Sequence, residues 1–322
     1  MKRSAWLIHN PAAGKFPAGP FLGRAAVVLE KAGWALEVVE AEPDQDLSQL
    51  AREAVAAGCE AVFVAGGDGS VGRVAGALAG STTVLGVLPS GTANVWAQEL
   101  GLPRLSWTNW FALEESAARL ASGEVRKVDV GECDGRAFLM WAGLGLDAHI
   151  VNSIEPRERW EKAFATAHYA ILAVWNSRNW QGVDLRVHAL GRTWEDRYLV
   201  AVGSNIRAYA GGLLELSPEA KVDDGLLDFW LISGRSLSDA VVRVAQILLG
   251  THVDAQGVVH FQASEASFEA EGEFLMHLDG EPCHIRPPVR LSVRKQALRV
   301  LVPKEPLPRV FSMSLPPGPE AL

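Results

Sequence analysis

Only three cysteines occur in 322 residues, and no metal-ligand spacing links Cys59, Cys133 and Cys283. An odd, scattered set excludes a disulfide framework and a cysteine-held metal. It points to reduced thiols, mostly core filler, in a cytoplasmic protein. No apolar run is long enough to span a bilayer, and residues 1–15, MKRSAWLIHNPAAGK, lack the apolar segment of a signal peptide. The expectation is a cytoplasmic chain that does not cross a membrane, with transient contact at the inner membrane face left open. Positive charge is also short: 30 Lys and Arg against 38 Asp and Glu leave a net charge of −8. That balance argues against a general nucleic-acid binder. Internal repeats are absent, and 48% apolar with 21% charged residues excludes extended disorder except near the end. The length suffices for two domains.

What is present is an alternation. Strand-like runs at Ala5–His9, Ala35–Glu40, Ala61–Ala65 and Val84–Leu88 are separated by helical spacing at Pro20–Ala32, Leu47–Ala57 and the segment after GGDGS. Further helical stretches fall at about Val95–Leu100 and Phe111–Ala121. Such alternation predicts an open, mainly parallel α/β sheet of Rossmann type, whose ligands bind beyond the carboxyl ends of its strands. Beyond Val125 the pattern changes to short runs: Val125–Val130, Phe138–Ala142, Leu185–Ala189, Tyr198–Gly203, Leu227–Ile232, Val259–Ala263, Ala266–Glu271, Phe274–Leu278 and Val289–Val293. Helical stretches near Arg159–Trp175 and Ser236–Leu249 interrupt them. This predicts an antiparallel β-sandwich. The expected domains are an α/β domain over 1–125, whose loops suit a nucleotide, and a β-sandwich domain over 126–295, with the active cleft between them. A proline-rich tail follows at 305–322.

Three loops leave carboxyl ends of predicted strands. Residues 61–79, AVFVAGGDGSVGRVAGALA, run from a buried strand through Gly66, Gly67, Asp68, Gly69 and Ser70 into a helix. Glycine admits close approach of a ligand, and a helix start favours an anion such as phosphate. Asp68 adds a carboxylate where a metal-bound phosphate would lie; a plain tight turn is the competing reading. Asn10, Gly14 and Lys15 in NPAAGK, and Gly91, Thr92 and Asn94 in PSGTAN, offer polar groups at the other two loops. A proline–glycine turn and helix capping are the alternatives there.

In the second half, GLGLD at 143–147 repeats the glycine–aspartate pattern, as a tight turn with a capping Asp or as a substrate contact. Asp223-Asp224-Gly225 fits either oxygen ligands for a divalent ion or an Asp-Gly turn. Asp279-Gly280-Glu281 fits a hairpin tip; its functional reading makes one carboxylate a general base and sets the other near the metal or nucleotide. Trp160, Phe164, Ala167, Ile171 and Trp175 form a helical stripe, either core or a wall for a greasy substrate. Arg157, Arg159, Lys162 and Arg178 beside it suit anionic headgroups.

Together NPAAGK (10–15), GGDGS (66–70), LPSGTANVWAQELGLP (88–103), GLGLD (143–147), DDGLLD (223–228) and LDGE (278–281) resemble the diacylglycerol kinase catalytic domain family, which includes bacterial lipid kinases and sphingosine kinases. The order matches and the motifs span nearly the whole chain. The resemblance implies transfer of the ATP γ-phosphoryl group to a lipid hydroxyl with Mg²⁺, and makes the β-sandwich domain the lipid-substrate domain. It also implies a chain end returning to the first domain as a strand at about 296–304. Carried over by position, Asn10, Gly66, Gly67, Asp68, Gly69, Ser70, Gly91, Thr92 and Asn94 would bind ATP, with Asp68 at its metal. Asp279 would be the base, with Glu281 beside it. A structural magnesium would fall at Asp224, with the backbone carbonyls of Lys221 and Leu226.

Two stretches depart from the family pattern. Ser70-Val71-Gly72-Arg73 replaces Thr-x-Asn-Glu, and Val95 replaces an Asp found in many members. They keep two alternatives open: an NAD kinase-like small-molecule kinase, and a lipid- or nucleotide-binding protein with weakened turnover. The acceptor lipid is not legible, and a homodimer through an exposed sandwich edge is left open.

Overall fold

The computed structural model describes residues 3–14, 18–42, 45–106, 108–154, 181–272 and 274–312. Two units divide the chain. Unit 1 comprises Met1–Val130, Val222–Asp224 and Lys295–Leu322, and unit 2 comprises Gly131–Lys221 and Gly225–Arg294.

Unit 1 alternates β1 (Arg3–His9), α1 (Gly19–Lys31), β2 (Trp34–Glu40), α2 (Leu47–Ala56), β3 (Ala61–Gly66), α3 (Asp68–Leu78), β4 (Val84–Pro89), α4 (Val95–Glu99) and α5 (Ala112–Ala121). The strands pair in parallel in the order β2–β1–β3–β4. Every residue of β3 and β4 is buried, as strands covered on both faces require. Helix α1 turns Leu22, Ala25 and Leu29 inward, a stripe at helical spacing. Helix α2 starts where the Asp46 carboxylate accepts the Ser48 amide at 2.9 Å.

β5 (Glu124–Cys133) begins in unit 1 and ends in unit 2. Then come β6 (Arg136–Phe138), β7 (Trp141–Gly145), α6 (Leu146–Ile154), β8 (Val183–Ala189), β9 (Arg192–Ser204), β10 (Ala208–Tyr209), β11 (Leu214–Glu215), β12 (Leu227–Ser233) and α7 (Leu237–Leu248). β13 (Val258–Ala263), β14 (Glu265–Glu269), β15 (Phe274–Leu278), β16 (Glu281–Ile285) and β17 (Val289–Val302) complete the chain. Pairing in unit 2 is antiparallel. β9 runs beside β8 with its first half, and between β7 and β12 with its second. The core holds Val187, Phe229, Phe261, Phe268, Met276 and Leu291. The Phe229 and Phe261 rings stack with centroids 5.1 Å apart. In unit 1, Arg299 and Val300 of β17 pair in parallel with Val84 and Leu85 of β4.

The architecture is the expected one, a parallel α/β part and an antiparallel β region, but several boundaries differ. The single run expected at Phe138–Ala142 is two strands, β6 and β7, broken at Leu139–Met140. β9 starts six residues before Tyr198, because the polar segment Arg192–Arg197 pairs with β8. Ion pairs flank it: Arg186–Glu195 at 3.0 Å and Arg197–Asp184. β16 escaped the sequence reading, since EPCHI alternates weakly and carries a proline. All three cysteines are buried and free. Among the described residues no helix is long and apolar enough to cross a membrane. Lys15, the Arg159–Trp175 stripe and the cations Arg157, Arg159, Lys162 and Arg178 lie outside the described residues.

Candidate active site

In unit 1 the loops after β1, β3 and β4 meet. β3 delivers Gly66, whose carbonyl accepts the amides of Ser90 and Gly91 at 3.2 Å each. Asn10 donates its amide N–H to the Ser70 hydroxyl at 3.0 Å and accepts the Ala12 amide at 3.0 Å. Contact between loops is so close that side chains are excluded. A Cβ on Gly91 would collide with the Gly67 backbone, one on Gly14 with the Ser90 carbonyl, and one on Gly67 would lie 3.3 Å from the Gly91 Cα. Gly14 also has φ +78°, which favours glycine.

Helix α3 begins at Asp68 with Gly67 as its N-cap, and no side chain caps it. Its first-turn amides and positive dipole end therefore face the loop cluster without a side-chain acceptor. The Asp68 carboxylate accepts the Trp96 amide at 3.2 Å, tying α3 to α4. Burial pushes its carboxyl up from the usual range, against the pull of the Val95, Trp96 and Asn94 amides. Asn94 takes a left-handed conformation (φ 53°) and does not cap α4. Its side chain instead accepts the Gly91 amide at 2.8 Å and donates to the Gly91 carbonyl at 2.9 Å, closing the 91–94 loop into a ring.

Three buried polar atoms here have no hydrogen-bond partner among the described residues: the hydroxyls of Ser90 and Thr92 and the indole N–H of Trp96. Native structures rarely leave such atoms orphaned unless something else satisfies them. Ser90 was part of the PSGTAN motif but was not singled out from sequence.

In unit 2, Asp279 (φ 51°) and Gly280 (φ 82°) form the two-residue tip of the β15–β16 hairpin, with Leu278 paired to Glu281. Two consecutive left-handed residues make a type I′ turn, which favours Asp-Gly. The Asp279 carboxylate accepts three backbone amides: Leu139 at 2.7 Å, Met140 at 2.8 Å and Trp141 at 3.1 Å. Its own amide donates to the Trp141 carbonyl at 2.9 Å. This clamp accounts for the break between β6 and β7.

GLGLD places Gly143 and Gly145 in β7 and Asp147 in the first turn of α6. Asp147 accepts the Tyr209 hydroxyl, and the His277 ring nitrogen Nε2 lies 3.0 Å away. Neither Tyr209 nor His277 was singled out in the sequence. Burial, with Asp147 beside it, holds the Tyr209 hydroxyl well above its ordinary pKa.

At the DDG segment, Asp223 accepts the amide and hydroxyl of Ser312 at 2.9 and 2.6 Å. The Asp224 carbonyl accepts the Lys295 ammonium at 3.3 Å, and Gly225 has φ 83°. Asp224 belongs to unit 1; Lys221 and Leu226 belong to unit 2. Among the described residues no group of three or more His, Cys, Asp or Glu is placed to hold a metal.

Comparison with known proteins decides the family. Residues 4–133 match the model of the diacylglycerol kinase catalytic domain, and residues 141–302 match that of the YegS C-terminal NAD kinase beta sandwich-like domain. A protein of Chromohalobacter salexigens named "Probable lipid kinase YegS-like" is 33% identical over 86% of this chain and 86% of its own length. The chain belongs to the diacylglycerol kinase and YegS-like lipid kinase family. This is a family of phosphotransferases, and membership implies ATP and a lipid substrate. A diacylglycerol kinase of Mycobacterium tuberculosis is 30% identical over 92% of this chain and 94% of its own. A crystal structure of a diacylglycerol kinase from Bacillus anthracis str. Sterne, 22% identical, covers 93% of this chain and 97% of that one with a TM-score of 0.71. It shares the fold.

Proposed function

We propose that this lipid kinase transfers the γ-phosphoryl group of ATP to the hydroxyl of a diacylglycerol- or sphingosine-type lipid, with Mg²⁺. The acceptor oxygen forms a bond to the γ-phosphorus, the bond to the bridging β–γ oxygen breaks, and ADP leaves. The hydroxyl proton passes to Asp279, with Glu281 beside it. The observation that carries this reading is the glycine cradle of unit 1, with its orphaned Ser90 and Thr92 hydroxyls and the uncapped start of α3. A triphosphate supplies the acceptor oxygens those donors lack. Asn10, Gly66, Gly67, Gly69, Ser70, Gly91, Thr92 and Asn94 form or shape that cradle.

Asp68 fits the metal role: a single partly buried carboxylate suits Mg²⁺, which keeps waters and substrate phosphates as its other ligands. Bound there, Mg²⁺ would neutralise charge on the phosphates. A structural magnesium at Asp224, with the carbonyls of Lys221 and Leu226, follows from the family resemblance. A kinase of this kind would work in the cytoplasm, in passing contact with the inner membrane surface.

The test is to incubate the purified chain with Mg·ATP and a panel of lipid alcohols in mixed micelles, with NAD as a polar comparator. Labelled phospholipid supports the proposal. Transfer to NAD alone would favour the small-molecule kinase. Tight ATP binding without transfer would favour the weakened protein that Arg73 and Val95 left open.

A further inference from the structure

The Asp279-Gly280 tip is held by more than its own carboxylate. Two residues earlier in β15 stands His277, whose side chain is only 3% exposed. Its Nδ1 lies 3.3 Å from the Gly280 nitrogen, and that amide is the donor. Nδ1 must therefore be the unprotonated nitrogen, and the ring proton sits on Nε2. Nε2–H points at Asp147 Oδ2, 3.0 Å away, and the same oxygen accepts the Tyr209 hydroxyl. The other Asp147 oxygen accepts the Ala148 amide at 2.7 Å. A carboxylate fixed in this way selects one tautomer of the imidazole. The arrangement depends on Gly143, the β7 partner of His277: a Cβ there would collide with both Asp147 Oδ2 and His277 Nε2.

This explains two features that the kinase reading leaves aside. The GLGLD motif combines a glycine that makes room for the His–Asp pair with the aspartate that orients it. A histidine also stands in a strand whose other described residues are apolar. Hairpin pairing leaves the second residue of a two-residue turn without a backbone acceptor, and His277 supplies one to Gly280.

We propose that His277 is a positioning residue. Through the Gly280 amide it fixes the turn in the orientation from which Asp279 takes the acceptor's proton, while Asp147 and Tyr209 hold it in the accepting tautomer. The proposal rests on the reading of Asp279 as base. His277 itself touches neither ATP nor acceptor.

Two substitutions separate the two sides of the ring. His277→Asn keeps an acceptor near the Nδ1 position but does not reach Asp147. His277→Gln keeps a donor towards Asp147 and leaves no acceptor at the Nδ1 position. Phosphoryl transfer from ATP to diacylglycerol in mixed micelles is measured for both and for Asp279→Asn, together with deuterium exchange at the Gly280 amide. His277→Gln should lower kcat about tenfold with KM for ATP and lipid within about twofold, and should speed Gly280 exchange about tenfold. His277→Asn should stay within about threefold of the parent in both. If His277→Gln matches the parent while Asp279→Asn is inactive, the base assignment stands and the positioning role is overturned. Equal losses in the two His277 variants overturn it too. Full activity in Asp279→Asn overturns the base assignment, and the positioning role with it. The exchange measurement needs no acceptor, so unchanged Gly280 exchange in His277→Gln overturns the proposal whichever lipid is used.

Discussion

Two Asp-Gly pairs, 68–69 and 279–280, carry the proposed chemistry, and they are built in opposite ways. Asp68 opens a right-handed helix, and its carboxylate reaches the Trp96 amide at 3.2 Å. Around it the Ser90 and Thr92 hydroxyls and the Trp96 indole N–H have no partner among the described residues. Asp279 sits in a left-handed turn with three amides on its carboxylate, and its neighbour Gly280 is bound to His277. On the proposed reading the first site leaves donors for phosphate oxygens to fill. The second is held rigidly by its own backbone contacts, which suits the proposed role of a base that meets a hydroxyl in one orientation. A glycine beside an aspartate thus serves two ends: close packing of loops in one unit, turn handedness in the other.

The sharpest way to break this contrast is Asp279→Asn. The amide nitrogen of Asn cannot accept the amides it would face and the side chain is a far weaker base, so kcat should fall by about two to four orders of magnitude. ATP affinity should survive, and a transfer assay beside calorimetry checks both. Next comes Gly91→Ala, whose Cβ would drive into the Gly67 backbone. It should cost about 2–4 kcal/mol of stability and weaken ATP binding, read from denaturant unfolding and calorimetry.

Thr92→Val sharpens the contrast further. Because the hydroxyl has no partner in the described structure, its loss should leave stability unchanged or raised. ATP affinity should nonetheless drop by about 1 kcal/mol, roughly fivefold. Equal loss of stability and affinity would mean that the hydroxyl is structural.

The smallest effect belongs to a place remote from both sites. Asp46→Ala removes the N-cap of α2 and should cost about 1 kcal/mol at neutral pH. The Ser48 hydroxyl and amide hold the Asp46 carboxyl below its ordinary value. Its stabilisation is therefore full above the unfolded-state pKa and is lost as pH falls through the folded one. Parent and variant should converge in acid, which denaturant midpoints at neutral and acid pH will show.

Much of unit 1 was legible because its signals are local. The apolar runs stop at Gly66-Gly67 and at Pro89-Ser90-Gly91, so β3, β4 and the loops after them follow from composition and turn residues. In unit 2 the signals are distant. The break at Leu139–Met140 is made by a carboxylate about 140 residues away, which no window of sequence contains. The start of β9 is polar and depends on its partner strand for pairing and charge. His277 was visible as a histidine among apolar neighbours two residues from Asp279, whereas nothing near Tyr209 in sequence announces its hydrogen bond to Asp147. The motif aspartates stand out in the sequence because each sits beside a glycine; the residues that hydrogen-bond to them do not.

The division of labour between the two aspartates is tested most directly by titrating Mg·ATP calorimetrically into Asp68→Ala and Asp279→Asn side by side. The account predicts affinity at least about tenfold weaker in Asp68→Ala, through loss of a charged ligand, and parental affinity in Asp279→Asn. Equal affinities in the two variants would contradict it.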